Sequence, residues 1–165
     1  MRFTTFSSPL GELLLVGDDM GLRRLSFLDG PHPETTEESW RRDDDALARA
    51  RDQVLAYLDG RRRSFSVDVA PEGNDFQREV WAALVRIPYG ETRTYGELAK
   101  RIGHDRAASA ISAANNANPL PLLIPCHRVV AADGIGSYSA GEAIKQQLLA
   151  LEERHPQDDP SKPSD

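Results

Sequence analysis

The residues best suited to chemistry are a cysteine and a histidine that are adjacent in the sequence. Cys126 is the single cysteine among the 165 residues, and it lies with His127 in the apolar segment LLIPCHRVV, residues 122–130. A thiolate is a strong nucleophile, but a free thiol has a pKa of about 8.5 and needs a neighbouring base or positive charge to ionise at neutral pH. The pair therefore predicts a cysteine nucleophile activated by an imidazole, with a buried and inert cysteine as the alternative.

The residues around this pair indicate a rigid and buried setting. Pro125 precedes the cysteine, and Val129 and Val130 lie three and four positions after it. In an extended backbone, consecutive side chains point to opposite faces of the strand. His127 would then reach the sulfur only through a kink or a bridging water molecule.

Composition narrows the classes of protein to which the chain can belong. One cysteine cannot form an internal disulfide, no Cys/His cluster has the spacing of a zinc site, and no apolar run approaches the roughly 20 residues that span a bilayer. We therefore expect no metal, no cofactor, no membrane contact and a cytoplasmic location. The net charge is −6, but residues 74–155 carry nine basic and nine acidic side chains, so contact with a polyanion would depend on a local patch and on helix N-termini.

The first 73 residues predict a small domain of strands and one helix. The segment 11–28 contains two apolar runs around the turn GDDMG, which is typical of a β-hairpin. Residues 31–45 are polar and rich in proline, as in a loop, and apolar residues recur at helical spacing over 45–58. The alternating segment that begins at residue 61 predicts a strand, and the linker after it places the domain boundary near residue 73.

The second part of the chain, residues 74–153, is predicted to be mostly helical. Asn74 or Asp75 can cap a first helix, and Thr94 with Glu97 forms the pattern of a capping box for a second. The small-residue segment 107–118 predicts a third helix, so that residues 94–118 resemble a helix-turn-helix. A last helix is expected from Glu142 to about residue 153, and residues 154–165 have the composition of a disordered tail.

The cysteine segment and its flanks resemble the O6-alkylguanine-DNA alkyltransferases, also called methylated-DNA–protein-cysteine methyltransferases. The signature of that family is Pro-Cys-His-Arg-Val preceded by Asn-Pro-x-Pro, and this chain reads NPLPLLIPCHRVV over 118–130, followed by GSYSAG over 136–141. The resemblance extends to FQREVWAALVRIPYGETRTYGELAKRIG, residues 76–103, and is looser over residues 1–73. It implies an α+β fold, with a small ribonuclease H-like α/β domain followed by a mostly helical domain of the winged helix-turn-helix type.

The resemblance also implies a reaction. Cys126 would attack the alkyl carbon on O6 of guanine in DNA, or on O4 of thymine, and would keep the alkyl group as a thioether, so that each molecule acts once. The cysteine would be linked through a water molecule to His127 and then to Glu152. Asn118 would brace the turn that carries the nucleophile, and Tyr95 would donate its hydroxyl to the guanine as O6 leaves.

The family further implies how the substrate would be held. Pro121 and Tyr138 would wall the pocket, the Ser139 N–H would face O6, and the carbonyl groups of Cys126 and Val129 would accept from the exocyclic amine. The partner would be double-stranded DNA that carries O6-alkylguanine, bound by a monomer, with the small-residue helix in the minor groove and the target base flipped out of the stack. The residues expected to contact DNA are Thr94, Tyr95, Arg106, Ala107, Ser109, Ala110, Asn115 and Arg128; for Arg128 a role in holding the site together is the stronger expectation.

The chain departs from the family pattern at two positions. Ser109 stands where the family usually has an arginine that fills the gap left by the flipped nucleotide, and Arg106 lies three residues earlier as a substitute. Ala140 stands at a position that is commonly glycine.

Two other functions are considered beside alkyl transfer. One is a lesion sensor that binds alkylated DNA without reacting, although relatives of that kind lack the cysteine that this chain keeps. The other is a cysteine hydrolase built on Cys126, His127 and Glu152, for which the sequence offers no recognisable oxyanion hole.

Overall fold

The N-terminal half is built on a four-stranded sheet. The computed structural model describes residues 1–31, 33–103 and 108–155. Its first strands are β1 (Arg2–Ser8), β2 (Gly11–Asp18), β3 (Gly21–Phe27) and β4 (Arg41–Arg42), in the order β3-β2-β1-β4. Strands β1, β2 and β3 are antiparallel, and β4 adds a short parallel pairing to β1. The predicted hairpin over 11–28 is confirmed.

Strand β2 is covered on both faces because its side chains alternate between two apolar clusters. Leu13 and Leu15 face the main core, whereas Leu14 and Val16 pack with Trp40 on the other side of the sheet. The loop before β4 therefore covers one face of the sheet through Trp40.

The prediction of a strand that begins at residue 61 is wrong. The chain pairs with the edge of the sheet only at an isolated bridge between Leu22 and Val69. Before that bridge, the backbone hydrogen bonds go to side chains: the Ser66 N–H donates to Oε1 of Gln53 at 3.0 Å, and the Arg62 side chain donates to the Ser64 carbonyl at 2.6 Å. A strand ladder therefore does not form, although the alternation in the sequence resembles one.

Two of the helices begin at residues whose side chains cap them. Helix α1 spans Ala48–Leu58, three residues later than its apolar pattern predicted, and α2 spans Asp75–Val85. Asn74 caps α2 in a capping box with Gln77, and Thr94 caps α3 (Tyr95–Arg101) in a capping box with Glu97. Both capping predictions are confirmed.

The remaining elements surround the cysteine. They are β5 (Arg93–Thr94), α4 (Ala108–Asn116), a 3₁₀ turn over Cys126–Arg128, β6 (Val129–Val130), which runs parallel to β5, and α5 (Glu142–Arg154). Helix α4 packs against α2 and α3, and the Trp81 indole donates to the Ala114 carbonyl at 2.9 Å. Residues 104–107, which connect α3 to α4, and residues 156–165 of the predicted tail lie outside the described residues.

One apolar core joins the two halves of the chain. Leu13, Leu25 and Tyr57 from the first half belong to the same buried cluster as Leu84 and Leu148 from the second. The Leu25 N–H also donates to the Pro119 carbonyl at 2.9 Å, which ties β3 to the segment that leads to the cysteine. Across the described parts of the chain, no helix combines the length and the apolar character that crossing a membrane requires.

The Asn74 cap should contribute measurably to stability. The Asn74 side chain accepts a hydrogen bond from the Gln77 N–H at 2.8 Å, so we expect Asn74→Ala to lower the free energy of unfolding by about 1 kcal/mol. Urea denaturation with an unchanged m-value measures this loss. Asn74→Asp keeps the acceptor and should match the wild type, and equal stability of Asn74→Ala and the wild type would contradict the assigned cap.

Candidate active site

The cysteine lies in a tight turn, and the extended backbone considered from the sequence is wrong. Cys126 begins the 3₁₀ turn, its N–H donates to the Ile124 carbonyl at 2.7 Å, and the Arg128 N–H donates to the Pro125 carbonyl at 3.0 Å. This turn provides the kink that the alternation argument required. The structure therefore places the cysteine and the histidine on consecutive corners of a compact turn.

Two asparagine side chains hold this turn. Asn118 donates to the Ile124 carbonyl at 2.8 Å and accepts from the Leu120 N–H at 3.0 Å. Asn115 donates to the Cys126 carbonyl at 3.3 Å. The contacts of Asn118 are those of a brace for the segment before the cysteine.

The backbone of the same segment contains a conformation that a leucine rarely adopts. Leu122 has a φ of 76°, in the left-handed region, although it is not a glycine. Its side chain is buried in the core, and burial of this kind is what holds a residue in a sparsely populated conformation.

His127 and Glu152 form a buried pair. Nε2 of His127 lies 2.7 Å from Oε2 of Glu152, and both side chains are almost completely inaccessible to solvent. Nδ1 of His127, the other ring nitrogen, is buried without a hydrogen-bond partner in the described structure. The ring is therefore oriented by the carboxylate on one side and keeps a free nitrogen on the other, as in a general base held by a carboxylate.

Arg128 balances the charge of this carboxylate. Its Nε donates to Oε1 of Glu152 at 2.9 Å and its Nη2 donates to Oε2 at 2.8 Å, while Nη1 donates to the Ile87 carbonyl at 2.7 Å. The Gly90 N–H adds a bond to Oε1 at 3.0 Å. Although burial raises the pKa of Glu152, hydrogen bonds and charge from His127 and Arg128 outweigh it and hold that pKa well below its usual range.

The burial of Arg128 corrects one of the DNA contacts predicted from the sequence. The guanidinium group is enclosed and fully engaged with Glu152 and a backbone carbonyl, so it is not placed to reach a phosphate. Its role in holding the site together, the stronger of the two expectations, agrees with these contacts.

The thiol of Cys126 is enclosed, with 2 % of the residue exposed. Burial raises the pKa of the thiol, against the effects of the Asn118 side chain, the Tyr138 hydroxyl and the charge of Lys145. Burial also lowers the pKa of His127, against the effect of Glu152. Both directions favour the neutral thiol and the neutral imidazole in the resting protein.

Lys145 is a buried cation that the sequence analysis missed. Its Nζ donates to the carbonyl of Val129 at 2.6 Å and to that of Ser137 at 3.1 Å, and burial lowers its pKa to about 8. These bonds link β6 to the loop before α5, on either side of the predicted substrate pocket. The signal was present in the sequence, because Lys145, Leu148 and Glu152 fall on one face of a helix at spacings of three and four.

Tyr57 is the second residue that the sequence analysis missed. It lies on the apolar face of α1 with Val54 and Leu58, a pattern that indicates only a core residue. Its hydroxyl donates to Oε2 of Glu152 at 2.5 Å. No feature of the local sequence distinguishes this tyrosine from one that is merely packed.

A cavity of about 340 Å³ lies between β3 and the segments that flank the cysteine turn, and Cys126, His127 and Arg128 of the turn itself do not line it. Asn118, Pro121, Ser139 and Ala140 lie in one wall, and residues of β3 lie in the other. Pro121 and Ser139 both line this cavity. The N-terminal sheet also contributes to this cavity, which the sequence did not indicate.

Two tyrosine hydroxyls near the turn are buried without a hydrogen bond of normal geometry within the described residues, those of Tyr95 and Tyr138. A Cβ atom on Gly136, which has a φ of 78°, would lie 3.2 Å from the Tyr95 hydroxyl oxygen. The backbone of Gly136 thus approaches Tyr95 closely. Tyr95 retains an unused donor, as a group that binds a substrate would, whereas the Tyr138 hydroxyl lies close enough to Cys126 to act on the pKa of its thiol.

The residues predicted to contact DNA divide into three groups. Thr94 is partly exposed, and Ser109 and Ala110 are exposed on α4. Asn115 is buried and bonded to the Cys126 carbonyl, so its assignment as a DNA contact is corrected to a support of the cysteine turn. Arg106 and Ala107 lie outside the described residues.

Among the residues that are described, no group of His, Cys, Asp and Glu is arranged to hold a metal ion.

Comparisons with known proteins agree with this geometry. Residues 1–71 match the profile of the 6-O-methylguanine DNA methyltransferase, ribonuclease-like domain, and residues 75–154 match that of the 6-O-methylguanine DNA methyltransferase, DNA binding domain. The chain is 46 % identical over 153 residues to a methylated-DNA–protein-cysteine methyltransferase of Methanosarcina acetivorans, covering 92 % of this chain and 98 % of the relative. It is 43 % identical over 156 residues to a protein of the same name from Mycolicibacterium paratuberculosis, covering 94 % of each.

Solved structures give the same result. The crystal structure of Mycobacterium tuberculosis OGT in complex with DNA superposes with a TM-score of 0.87 at 41 % identity, covering 96 % of this chain and 97 % of that one. The O6-methylguanine methyltransferase of the same organism gives a TM-score of 0.85 at 41 % identity, with 96 % of each chain covered.

The buried pair should make stability depend on pH. Burial holds the pKa of His127 below its usual 6.5. The neutral ring therefore contributes fully to the free energy of unfolding above pH 6.5, and this contribution is lost as the pH falls below that value. The depressed pKa of Glu152 adds a further loss of stability below pH 4.5, its usual pKa. We expect the free energy of unfolding in urea to decline from about pH 7 to about pH 5, by at most about 1.4 kcal/mol per pH unit for one proton.

The matched control is His127→Gln, which lacks the titrating ring. Its stability should be lower overall but flatter over the same range of pH. Parallel curves for the wild type and the variant would show that His127 does not titrate as its burial requires.

Proposed function

The chain belongs to the family of methylated-DNA–protein-cysteine methyltransferases, and we propose that it repairs double-stranded DNA by moving an alkyl group from O6 of guanine to Cys126. The observation that carries this proposal is the buried turn in which the cysteine precedes a histidine that Glu152 orients and whose Nδ1 is free. The chain acts as a monomer in this proposal, because every group that the reaction uses comes from one copy.

The nucleophile is formed when the substrate is in place. Burial favours the neutral thiol and the neutral imidazole, so the resting cysteine is protected from reactions that need a thiolate. At the reaction the thiol proton passes to Nδ1 of His127, directly or through a water molecule. The imidazolium that results is stabilised by Glu152.

The transfer exchanges one bond for another. The sulfur of Cys126 forms a bond to the alkyl carbon while the bond from that carbon to O6 breaks, and the electron pair moves to the guanine. The Tyr95 hydroxyl, buried without a partner in the described residues, is available to donate to the base as this charge develops. The guanine anion then takes up a proton and the imidazolium of His127 gives one up, so that the products are a thioether, a neutral guanine and a neutral imidazole.

The substrate pocket uses residues on both sides of the turn. Pro121 and Tyr138 wall the base, the Ser139 N–H faces O6, and the carbonyl groups of Cys126 and Val129 accept from the exocyclic amine. The Val129 carbonyl already accepts from Lys145, but a carbonyl oxygen has a second lone pair. The Cys126 carbonyl already accepts from the Asn115 side chain and from the Val129 N–H, so the exocyclic amine would displace the longer of these bonds, that of Asn115 at 3.3 Å. Pro121 and Ser139 line the same cavity, which brings these two proposed contacts to one place.

The helix-turn-helix would hold the DNA. Ser109 and Ala110 are exposed on α4, and small side chains let a helix lie close to the duplex without reading bases. The target base must leave the stack because the thiol cannot reach it inside a duplex. Thr94 at the start of α3, together with Arg106 and Ala107, completes the proposed contact surface.

The product explains why one molecule acts once. A thioether has no activated leaving group, so water cannot regenerate the thiol in the way that it hydrolyses a thioester. The alkylated protein is the end point.

The decisive experiment measures the mass of Cys126 after reaction. Incubation with an excess of duplex DNA that contains O6-methylguanine should add one CH₂ to the peptide that carries Cys126 and should stop at one equivalent. Cys126→Ala should bind the same DNA without gaining mass. Tight binding without any mass gain in the wild type would instead indicate a lesion sensor, and product beyond one equivalent would indicate a hydrolase.

Ser109 should limit repair of duplex DNA. For Ser109→Arg we expect transfer from duplex DNA to accelerate by about tenfold, which corresponds to about 1.4 kcal/mol of the cost of unstacking, because the longer side chain fills the gap left by the flipped base. The rate with free O6-benzylguanine should be unchanged, since that substrate needs no flipping.

Ser109→Ala is the matched control for that substitution. It should repair duplex DNA at the rate of the wild type. An equal acceleration of Ser109→Arg on the duplex and on the free base would contradict a role in flipping.

A further inference from the structure

Tyr57 brings a hydroxyl group from the N-terminal half of the chain to the His127–Glu152 pair. The side chain is completely buried on α1. Its hydroxyl donates to Oε2 of Glu152 at 2.5 Å and lies 3.3 Å from Nε2 of His127. The same carboxylate oxygen accepts from His127, so one oxygen atom connects the tyrosine and the histidine.

We propose that Tyr57 is a positioning residue for alkyl transfer, whose hydroxyl limits how much of the Glu152 charge acts on His127 and keeps that ring in the tautomer with Nδ1 free. The role of Tyr57 in alkyl transfer rests on the function proposed above. Its effect on His127 is a property of the folded protein that is measurable without any reaction.

The distances indicate which group donates to which. A neutral imidazole carries one N–H, and if it were on Nδ1, then Nε2 would be an acceptor facing a carboxylate that is also an acceptor. With the proton on Nε2, both the histidine and the tyrosine donate to Oε2, and the longer contact between them needs no hydrogen bond. Because the tyrosine donates to the carboxylate and not to the ring, Nε2 keeps its proton and Nδ1 remains available as the base.

The hydroxyl also competes for the charge of the carboxylate. Oε2 accepts from Tyr57, His127 and Arg128, while Oε1 accepts from Arg128 and from the Gly90 N–H. A carboxylate whose lone pairs are shared among several donors stabilises each of them less than it would alone. Tyr57 therefore restrains the stabilisation of the imidazolium, so that the ring stays neutral until it accepts the thiol proton.

The tyrosine is held so that its hydroxyl has little freedom. Its ring centroid lies 5.5 Å from that of Phe65 and 6.0 Å from that of Tyr89, the latter pair edge to face. Burial, followed by the charge of Glu152, raises the pKa of Tyr57 well above its usual 10.0, so the hydroxyl remains a donor. A phenylalanine would fill the same space, and the hydroxyl is the part that touches Glu152.

Several ionisable groups act on His127 or on its partners in the site. Tyr57 comes from α1 and Tyr89 from the loop after α2. Cys126 and Arg128 belong to the cysteine turn, Tyr138 to the loop before α5, and Lys145 and Glu152 to α5. Arg128 and Lys145 lower the pKa of His127 and Glu152 raises it. Removing a donor from Glu152 strengthens the one interaction that favours the imidazolium.

The test compares Tyr57→Phe with the wild type over a range of pH. The rate of single-turnover transfer from free O6-benzylguanine should fall on the acid side as His127 becomes protonated. In Tyr57→Phe the midpoint of that fall should move to higher pH, by about 0.5–1 unit, because the unshared carboxylate stabilises the imidazolium. A role in packing alone would lower the rate or the stability at every pH and leave the midpoint in place.

Tyr89→Phe is the matched control. It removes a buried hydroxyl from the neighbouring ring, and that hydroxyl has no hydrogen-bond partner in the described structure. Its acid midpoint should equal that of the wild type. An unmoved midpoint in Tyr57→Phe, or an equal shift in Tyr89→Phe, would overturn the proposal.

Two further measurements cover failure of the first. If Tyr57→Phe does not fold, 3,5-difluorotyrosine incorporated at position 57, a stronger donor to Glu152, should move the midpoint to lower pH; no shift overturns the inference. If the wild type itself transfers no alkyl group, the proposed function fails, but an NMR titration of the His127 ring in both proteins still decides whether Tyr57 sets its pKa. The His127→Gln spectrum identifies the resonance.

Discussion

The structure of this site depends on one buried negative charge. The carboxylate of Glu152 is 2 % exposed, and a charge removed from water is tolerated only when donors surround it. Those donors come from three places in the chain, namely Tyr57 on α1, the Gly90 backbone, and the cysteine turn through His127 and Arg128, while α5 carries the carboxylate itself. Compensation of this charge therefore fixes how the two halves of the chain pack.

The same burial decides the state of the reactive groups. An enclosed site disfavours every uncompensated charge, which raises the pKa of Cys126 and lowers that of His127. Glu152 is the exception because arginine and histidine compensate it. The site thus combines the ion pair of Glu152 and Arg128 with a nucleophile and a base that are both neutral at rest, an arrangement that suits a cysteine which must survive unreacted until its single use.

The sequence predicted the elements that local rules govern. The capping box at Thr94, the helix cap at Asn74 or Asp75, the hairpin over 11–28 and the last helix follow from patterns within a few residues, and all are present, with Asn74 as the cap. The strand predicted from residue 61 failed because alternation also fits a segment whose backbone bonds go to side chains. In the site, the structure joins His127 to Glu152, and these residues were paired only through the resemblance to a known family, since 25 residues separate them. Tyr57 is 95 residues from Glu152, and no local pattern reports a contact of that range.

The two tasks of the protein are placed in different parts of the C-terminal half. His127, Arg128 and Glu152 are buried and bonded to each other, so a change in one of them disturbs the charge balance of the others. The exposed face of α4, with Ser109 and Ala110, opposes a buried face with Ile111 and Ala114 that packs in the core. A substitution on the exposed face leaves the core and the carboxylate untouched. Serine at position 109 is therefore compatible with intact chemistry at Cys126, and we expect the effect of that residue to be confined to how readily a base leaves the duplex.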